Sequence, residues 1–195
     1  MMIKRVLVLT MLCALSLLTT HATAQQINGT TVGMETSMGM IEIELFDNAA
    51  PIAAANFLDY VKNHHYDGLI FHRVIPNFVV QGGGFEPGIV PRPTKDPIKN
   101  EAKGGKPNTR GTLAMARSAD INSATSQFYF NLSNNFSLDH KGDSVDDYGY
   151  TVFGRVVKGL EVVEEIAQQP TTTVKGMKDV PKKDVLIIKA WVEKD

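Results

Sequence analysis

Within residues 66–85, YDGLIFHRVIPNFVVQGGGF, one permanent cation stands among large apolar side chains. Ile70, Phe71, Val74, Ile75, Phe78, Val79 and Val80 supply bulk around Arg73. A guanidinium among hydrophobes is tolerated only when paired or hydrogen-bonded. Arg73 therefore either meets a carboxylate from elsewhere in the chain or turns its donors toward a cleft that receives a ligand oxygen. Its head is permanently charged, rigid and multi-donor. Gln81 adds an amide, and the triplet Gly82-Gly83-Gly84 lacks the Lys-Ser/Thr ending of a phosphate-binding loop, so it reads as a tight turn or bulge. His72 reads as structural. The pair His64-His65 has no acid or cysteine partner at fixed spacing and adjacent side chains diverge, so a solvated helix end is expected rather than a metal site.

The elements that position these residues are legible in the patterning. Residues 40–46 alternate, with Ile41, Ile43 and Leu45 on one face and Glu42 and Glu44 on the other, which predicts a half-buried strand with the glutamates toward solvent. Asp47 and Asn48 are candidate caps for a helix over 52–62, with Pro51 in its first turn and Ala54, Phe57, Leu58 and Val61 at helical spacing. Residues 87–106, rich in Pro, Gly, Lys and Asp, read as a long surface connection. Strands are expected at 112–116, 127–132, 152–157 and 185–192, a polar loop at 117–126, and a second helix from Leu160 that ends before Pro170. Two helices among many short strands fit a barrel or a sandwich equally well.

Lys4 and Arg5, an apolar run over 6–18 and Ala22-Thr23-Ala24 form a secretory signal peptide, expected to be cleaved after Ala24. The run is too short to span a bilayer. Cys13 lies in it without the small residues that a lipidation site needs. The mature chain of 171 residues, with a polar leader at 25–29, then has no cysteine and 18 basic against 21 acidic residues, a charge of −3. Its stability must come from packing. That length buries a full core as one domain over 30–195, and no basic surface argues for nucleic acid.

Two later runs, GTLAMARSADINSATSQFYFNL at 111–132 and YGYTVFGRVVKGLEVV at 148–163, follow the first in order. Together the three resemble the cyclophilin family of peptidyl-prolyl cis-trans isomerases, its bacterial members most closely, over about residues 30–192. The resemblance implies a mainly β fold, a closed eight-stranded antiparallel β-barrel capped by two α-helices, with no cofactor and no metal. It implies that Arg73 is the main catalytic residue and that Gln81 orients it or binds backbone. Phe78, Val79, Tyr129 and Leu138 match the proline pocket, and Ala116, Arg117 and Gln127 the rim that holds substrate backbone. Tyr150 stands where many eukaryotic members have histidine. The implied partners are proline-containing unfolded or partly folded polypeptides, with neither nucleic acid nor, after signal cleavage, membrane; the signal and the bacterial resemblance together imply the periplasm. Nothing demands a dimer, so a monomer is expected.

Three departures from the family pattern stand out. Val79 replaces the more usual methionine and is stiffer and shorter. Tyr129 replaces phenylalanine, adding a hydroxyl that must find a partner or face water. Ser137 falls where bacterial members often have an aromatic and eukaryotic members the tryptophan that cyclosporin contacts, so weak cyclosporin binding is expected, with neighbouring Phe136 as a possible substitute. The competing reading is a periplasmic chaperone module that holds proline-containing segments without turnover; a catalytic donor at Arg73 separates the two. A barrel that binds a small apolar ligand is a third, and bulky inward residues argue for a filled core instead.

Overall fold

In β2 (Gly39–Leu45), Ile41, Ile43 and Leu45 are buried and Glu42 faces outward, as alternation requires. The computed structural model describes residues 29–193; the signal peptide expected over 1–24 and all of the expected leader but Gly29 lie outside the described residues. Chain order is β1 (Thr31–Thr36), β2, α1 (Pro51–Lys62), β3 (Arg73–Ile75), β4 (Val79–Gly82), β5 (Phe85–Glu86), β6 (Val90–Pro91), β7 (Thr112–Met115), β8 (Phe128–Asn131), β9 (Val152–Lys158), α2 (Leu160–Ala167), β10 (Thr171–Val174), β11 (Met177–Pro181) and β12 (Ile187–Val192). A short 3-10 turn covers Phe136–Leu138.

Eight strands form one antiparallel sheet in the order β12-β1-β2-β9-β7-β8-β4-β3. The sheet curls into a barrel that is open rather than closed. Its edges, β12 and β3, do not pair, because β3 has only three residues and β11 lies against it. The seam is bridged by irregular chain. Gly68 and Phe71 donate backbone N–H to the carbonyls of Ile187 and Val185, and Ile187 donates to Leu69. Neither the hairpin β10–β11 nor the ribbon β5–β6 was expected from the pattern. Both are short, and their apolar residues Phe85, Val174, Met177 and Val180 pack with Ile70 and Ile89 in a small cluster of their own rather than in a regular stripe.

Aromatic rings fill the barrel. Phe57, Tyr66, Phe71, Phe128, Phe130 and Phe153 are all fully buried. Phe57 and Tyr66 each meet Phe128 edge-on at 5.4 Å, and Phe128 meets Phe130 at 5.6 Å, the geometry that ring quadrupoles favour. Outside, the lone tryptophan, Trp191, lies across Gly33 of β1; a Cβ at that glycine would stand 2.5 Å from the indole. The Lys189 ammonium covers the ring at 4.9 Å.

Two details differ from the expected pattern. Glu44 is buried, not solvated, because it pairs with the Arg155 guanidinium across the β2–β9 ladder. Neither Asp47 nor Asn48 caps α1. Its N-cap is Ala50, which has no acceptor, and the Glu101 carboxylate reaches from the long connection to accept the N–H groups of Ile52 at 3.2 Å and Ala53 at 2.9 Å. Asp47 instead accepts the backbone N–H and hydroxyl of Thr30. Glu101→Ala should lower stability by about 1 kcal/mol through loss of this cap and of a negative charge at the helix N-terminus; equilibrium urea denaturation checks it.

Candidate active site

Strand alternation that fills the barrel also builds a surface on its outer side. Val74, Val80, Leu113, Met115, Phe128 and Phe130 point inward. Their neighbours Arg73, Gln81, Tyr129, Ala114 and Val152 form one outward row, each the register partner of the next, across β3, β4, β8, β7 and β9. Val79, two pairs along and so on the same face, joins them. The turn between β3 and β4 brings in Phe78: Pro76 precedes Asn77, whose φ of 61° is one that asparagine tolerates, and the Phe78 N–H closes onto the Ile75 carbonyl at 3.1 Å.

Arg73, Phe78, Val79, Gln81, Ala116, Arg117, Tyr129, Leu138 and Tyr150 line one cavity of ≈ 230 Å³. Gln127, the remaining residue singled out in the sequence, lines an adjoining cavity of ≈ 240 Å³ with Gln81, Ala116, Arg117, Ser118, Ser123 and Thr125. The first has apolar walls with polar groups at its lip. The second is polar. A wider hollow of ≈ 360 Å³ beside α2 is lined by Asn77, Leu132, Glu161, Glu164, Glu165 and Gln168, with Leu132 its one apolar side chain.

Arg73 has no carboxylate partner among the described residues. Its Nη1 donates to Gln81 Oε1 at a long 3.4 Å, and Gln81 Nε2 donates to Gln127 Oε1 at 3.0 Å. Of the two explanations for a guanidinium among hydrophobes, the head at a cleft is the one found. The glycine triplet serves the same relay. Gly82 ends β4, Gly83 turns with φ of 86°, and a Cβ on Gly84 would sit 2.6 Å from the Gln127 side chain.

Arg117 lines both cavities, at the rim where it is expected, and is also bound by the chain itself. Its Nε donates to the Gly149 carbonyl, Nη1 to Ser118 and Nη2 to Val145, and its face stacks on Tyr150 at 4.8 Å. The donors are occupied by the chain itself, so the residue fixes the 145–150 segment and the Tyr150 wall.

Tyr129 is buried, and its hydroxyl donates to Asn108 Oδ1 at 2.8 Å; burial pushes its pKa well above the ordinary phenol value. Asn108, Asn131 and Asn135 form a buried network beneath the cavity that the sequence reading missed. A signal existed. Asparagine ending a strand that otherwise reads Phe-Tyr-Phe is a poor strand former, and a buried amide requires partners.

The family description "cyclophilin type peptidyl-prolyl cis-trans isomerase/CLD" matches residues 31–192. The chain belongs to the cyclophilin family. Among cyclophilins it is 52% identical over 177 residues to a peptidyl-prolyl cis-trans isomerase of Acinetobacter baylyi, covering 91% of this chain and 90% of that one. It is 49% identical to peptidyl-prolyl cis-trans isomerase B of Escherichia coli, covering 80% and 95%. The fold is similar to a Cryptosporidium parvum cyclophilin solved in the presence of the dipeptide Ala-Pro, with a TM-score of 0.69, 24% identity, and coverage of 85% and 99%.

Near the cavity-bearing face of this cyclophilin lie two imidazoles. His65 does not sit in solvent as a helix end would; its ring packs on Tyr60 at 4.5 Å, and only His64 is well exposed. His72 is buried against Phe85 with no hydrogen-bond partner at Nδ1. Burial, with Arg73 adding repulsion, lowers its pKa from 6.5 to about 4, while the Ile70 carbonyl and the Gln127 amide offset part of that. The unfolded chain therefore binds more protons between these values, and stability falls as pH drops through the window. His65 contributes with the same sign, its pKa lowered chiefly by burial. His72→Gln should remove on the order of 3 kcal/mol of the acid-dependent loss between pH 7 and pH 4, read as a flatter pH profile of urea-denaturation stability.

Proposed function

We propose that this cyclophilin accelerates cis-trans isomerisation of X-Pro bonds in polypeptides folding after export, in the periplasm, by a mechanism with no covalent intermediate. The observation that carries the reading is Arg73. Its guanidinium lacks a carboxylate partner among the described residues and stands at the lip of an apolar cavity walled by Phe78, Val79, Tyr129 and Leu138.

Rotation about a peptide bond meets a barrier of roughly 18–20 kcal/mol because the nitrogen lone pair is delocalised into the carbonyl. Twisting the bond localises that pair on nitrogen, where a donor gains strength that it lacks against the planar amide. Only such differential contacts raise the rate, about tenfold for each ~1.4 kcal/mol. In this reading the apolar walls fix the pyrrolidine ring while Arg73 donates to the imide nitrogen. Gln81, held in turn by Gln127, orients the guanidinium through a long 3.4 Å contact that leaves its other donors for the substrate. The backbone of Ala116 and the polar hollow around Gln127 hold the flanking peptide while the other side swings. No proton leaves the substrate, which suits His72 as a buried neutral ring rather than a base.

Two measurements test this. Two-dimensional NMR exchange spectroscopy of a short X-Pro peptide should show acceleration by the mature protein, lost at least about tenfold in Arg73→Ala while peptide binding persists; intact binding without acceleration by the parent would leave a holding module. Cyclosporin should inhibit weakly, because Ser137 offers no ring and Phe136 is 54% exposed rather than part of the cavity lining. Submicromolar inhibition in a titration runs against that expectation.

A further inference from the structure

Three walls of the apolar cavity are tied to one buried cluster of asparagine amides. Asn108 is 0% exposed, as is Asn131, and Asn135 is 8% exposed. The Asn108 side chain is at its full hydrogen-bonding capacity of two accepted and two donated bonds. Oδ1 accepts the Tyr129 hydroxyl at 2.8 Å and Asn131 Nδ2 at 3.1 Å. Nδ2 donates to Asp139 Oδ1 at 2.9 Å and to the Leu138 carbonyl at 3.3 Å. The same Asp139 oxygen accepts the Asn108 backbone N–H at 2.7 Å, so the residue after Leu138 is clamped twice. Asn131 Oδ1 accepts from Asn135 Nδ2 at 2.8 Å, and that nitrogen also donates to the Phe78 carbonyl at 2.9 Å. Tyr129, Leu138 and Phe78 are thus linked through buried amides.

We propose that Asn108 is a positioning residue for the proline pocket, setting the Tyr129 floor and the Leu138 wall at the separation that grips the ring; this rests on the reading of the cavity as that pocket. The argument is steric and electrostatic. Tyr129 carries a hydroxyl in an apolar wall, and a hydroxyl buried without a partner costs free energy. Asn108 satisfies it from outside the cavity, and the bond holds the ring in one orientation. Leu138 sits in a single 3-10 turn with no side-chain cap, so its place depends on bonds to its carbonyl and to Asp139. Asn108 reaches both, and the Tyr150 N–H shares the Leu138 carbonyl at 3.0 Å. A residue that fixes pocket width acts on affinity in ground and twisted states alike, which appears in KM more than in kcat.

The test compares Asn108→Ala, Tyr129→Phe, the double variant and Thr36→Val, using exchange spectroscopy for kcat and KM, NMR titration for peptide Kd, the Leu138 methyl resonance and thermal melting. Thr36 bridges the β1–β2 turn through its buried hydroxyl and serves as a measure of ordinary destabilisation. Asn108→Ala should raise KM and Kd about tenfold with kcat little changed, and shift the Leu138 methyl. Tyr129→Phe should raise KM about threefold, and the double variant should be no worse than Asn108→Ala, because the two changes break a shared bond. Thr36→Val should lower the melting temperature and leave KM and the methyl in place. An unchanged KM and methyl resonance in folded Asn108→Ala overturns the proposal. So does additivity in the double variant, and, where the alanine variant does not fold, a parental KM in Tyr129→Phe. A parent that binds proline peptide without accelerating exchange overturns the activity reading alone, since Kd and the Leu138 methyl still judge Asn108; a parent that does not bind it overturns both.

Discussion

Strand alternation is the constraint on which the molecule depends. A β-strand sends successive side chains to opposite faces, so the residues that fill the barrel dictate, position by position, the ones outside it. Val74, Val80, Phe128, Phe130, Leu113 and Met115 are held by the core. Arg73, Gln81, Tyr129 and Ala114 consequently stand in line across four strands. A slip of one residue in β8 would bring Tyr129 and Asn131 inward and expose two phenylalanines. The free energy that prevents this, roughly 1.5–3 kcal/mol for each large apolar side chain kept buried, is what fixes the site. No separate device for aligning the row is required.

Holding the row in register does not by itself hold its side chains still. That is done from three directions. The glutamine relay restrains Arg73 loosely, as the long 3.4 Å contact shows. Arg117 straps the 145–150 segment down with two carbonyl contacts and a stacked ring. Buried asparagines support the apolar walls from beneath. Each polar support is satisfied, and an orphaned buried group would cost about 1–3 kcal/mol, so the network is rigid as well as permitted. Among the described residues of the row, Arg73 keeps donors beyond its single contact to Gln81.

Much of this was legible in the chain. Arg73 among hydrophobes, the alternation in β2 and the helical stripe of α1 are local patterns, and local patterns survive in sequence. The cavity lining was legible only because three motifs occurred in order; Phe78, Tyr129 and Leu138 taken singly look like core. What escaped depends on distance. Glu101 caps α1 from a segment that reads as surface loop, and Glu44 is buried because Arg155 lies across the ladder. Neither partner leaves a mark near the residue that it serves. Asn108 escaped for the same reason, being one polar residue in a polar stretch until folding places it under Tyr129. The open seam escaped because barrel closure depends on whether two edge strands, 112 residues apart at Ile75 and Ile187, are long enough to meet, and no periodicity encodes that.

Gly33 lets the only indole of the chain lie flat on the outside of β1, beneath Lys189. Neither β1 nor β12 contributes a residue to the cavity. The chromophore that dominates near-ultraviolet emission is therefore attached to the scaffold and separated from the cleft. Quenching or a spectral shift of that ring in this protein reports first on the sheet around β1 and β12, at a distance from the cleft.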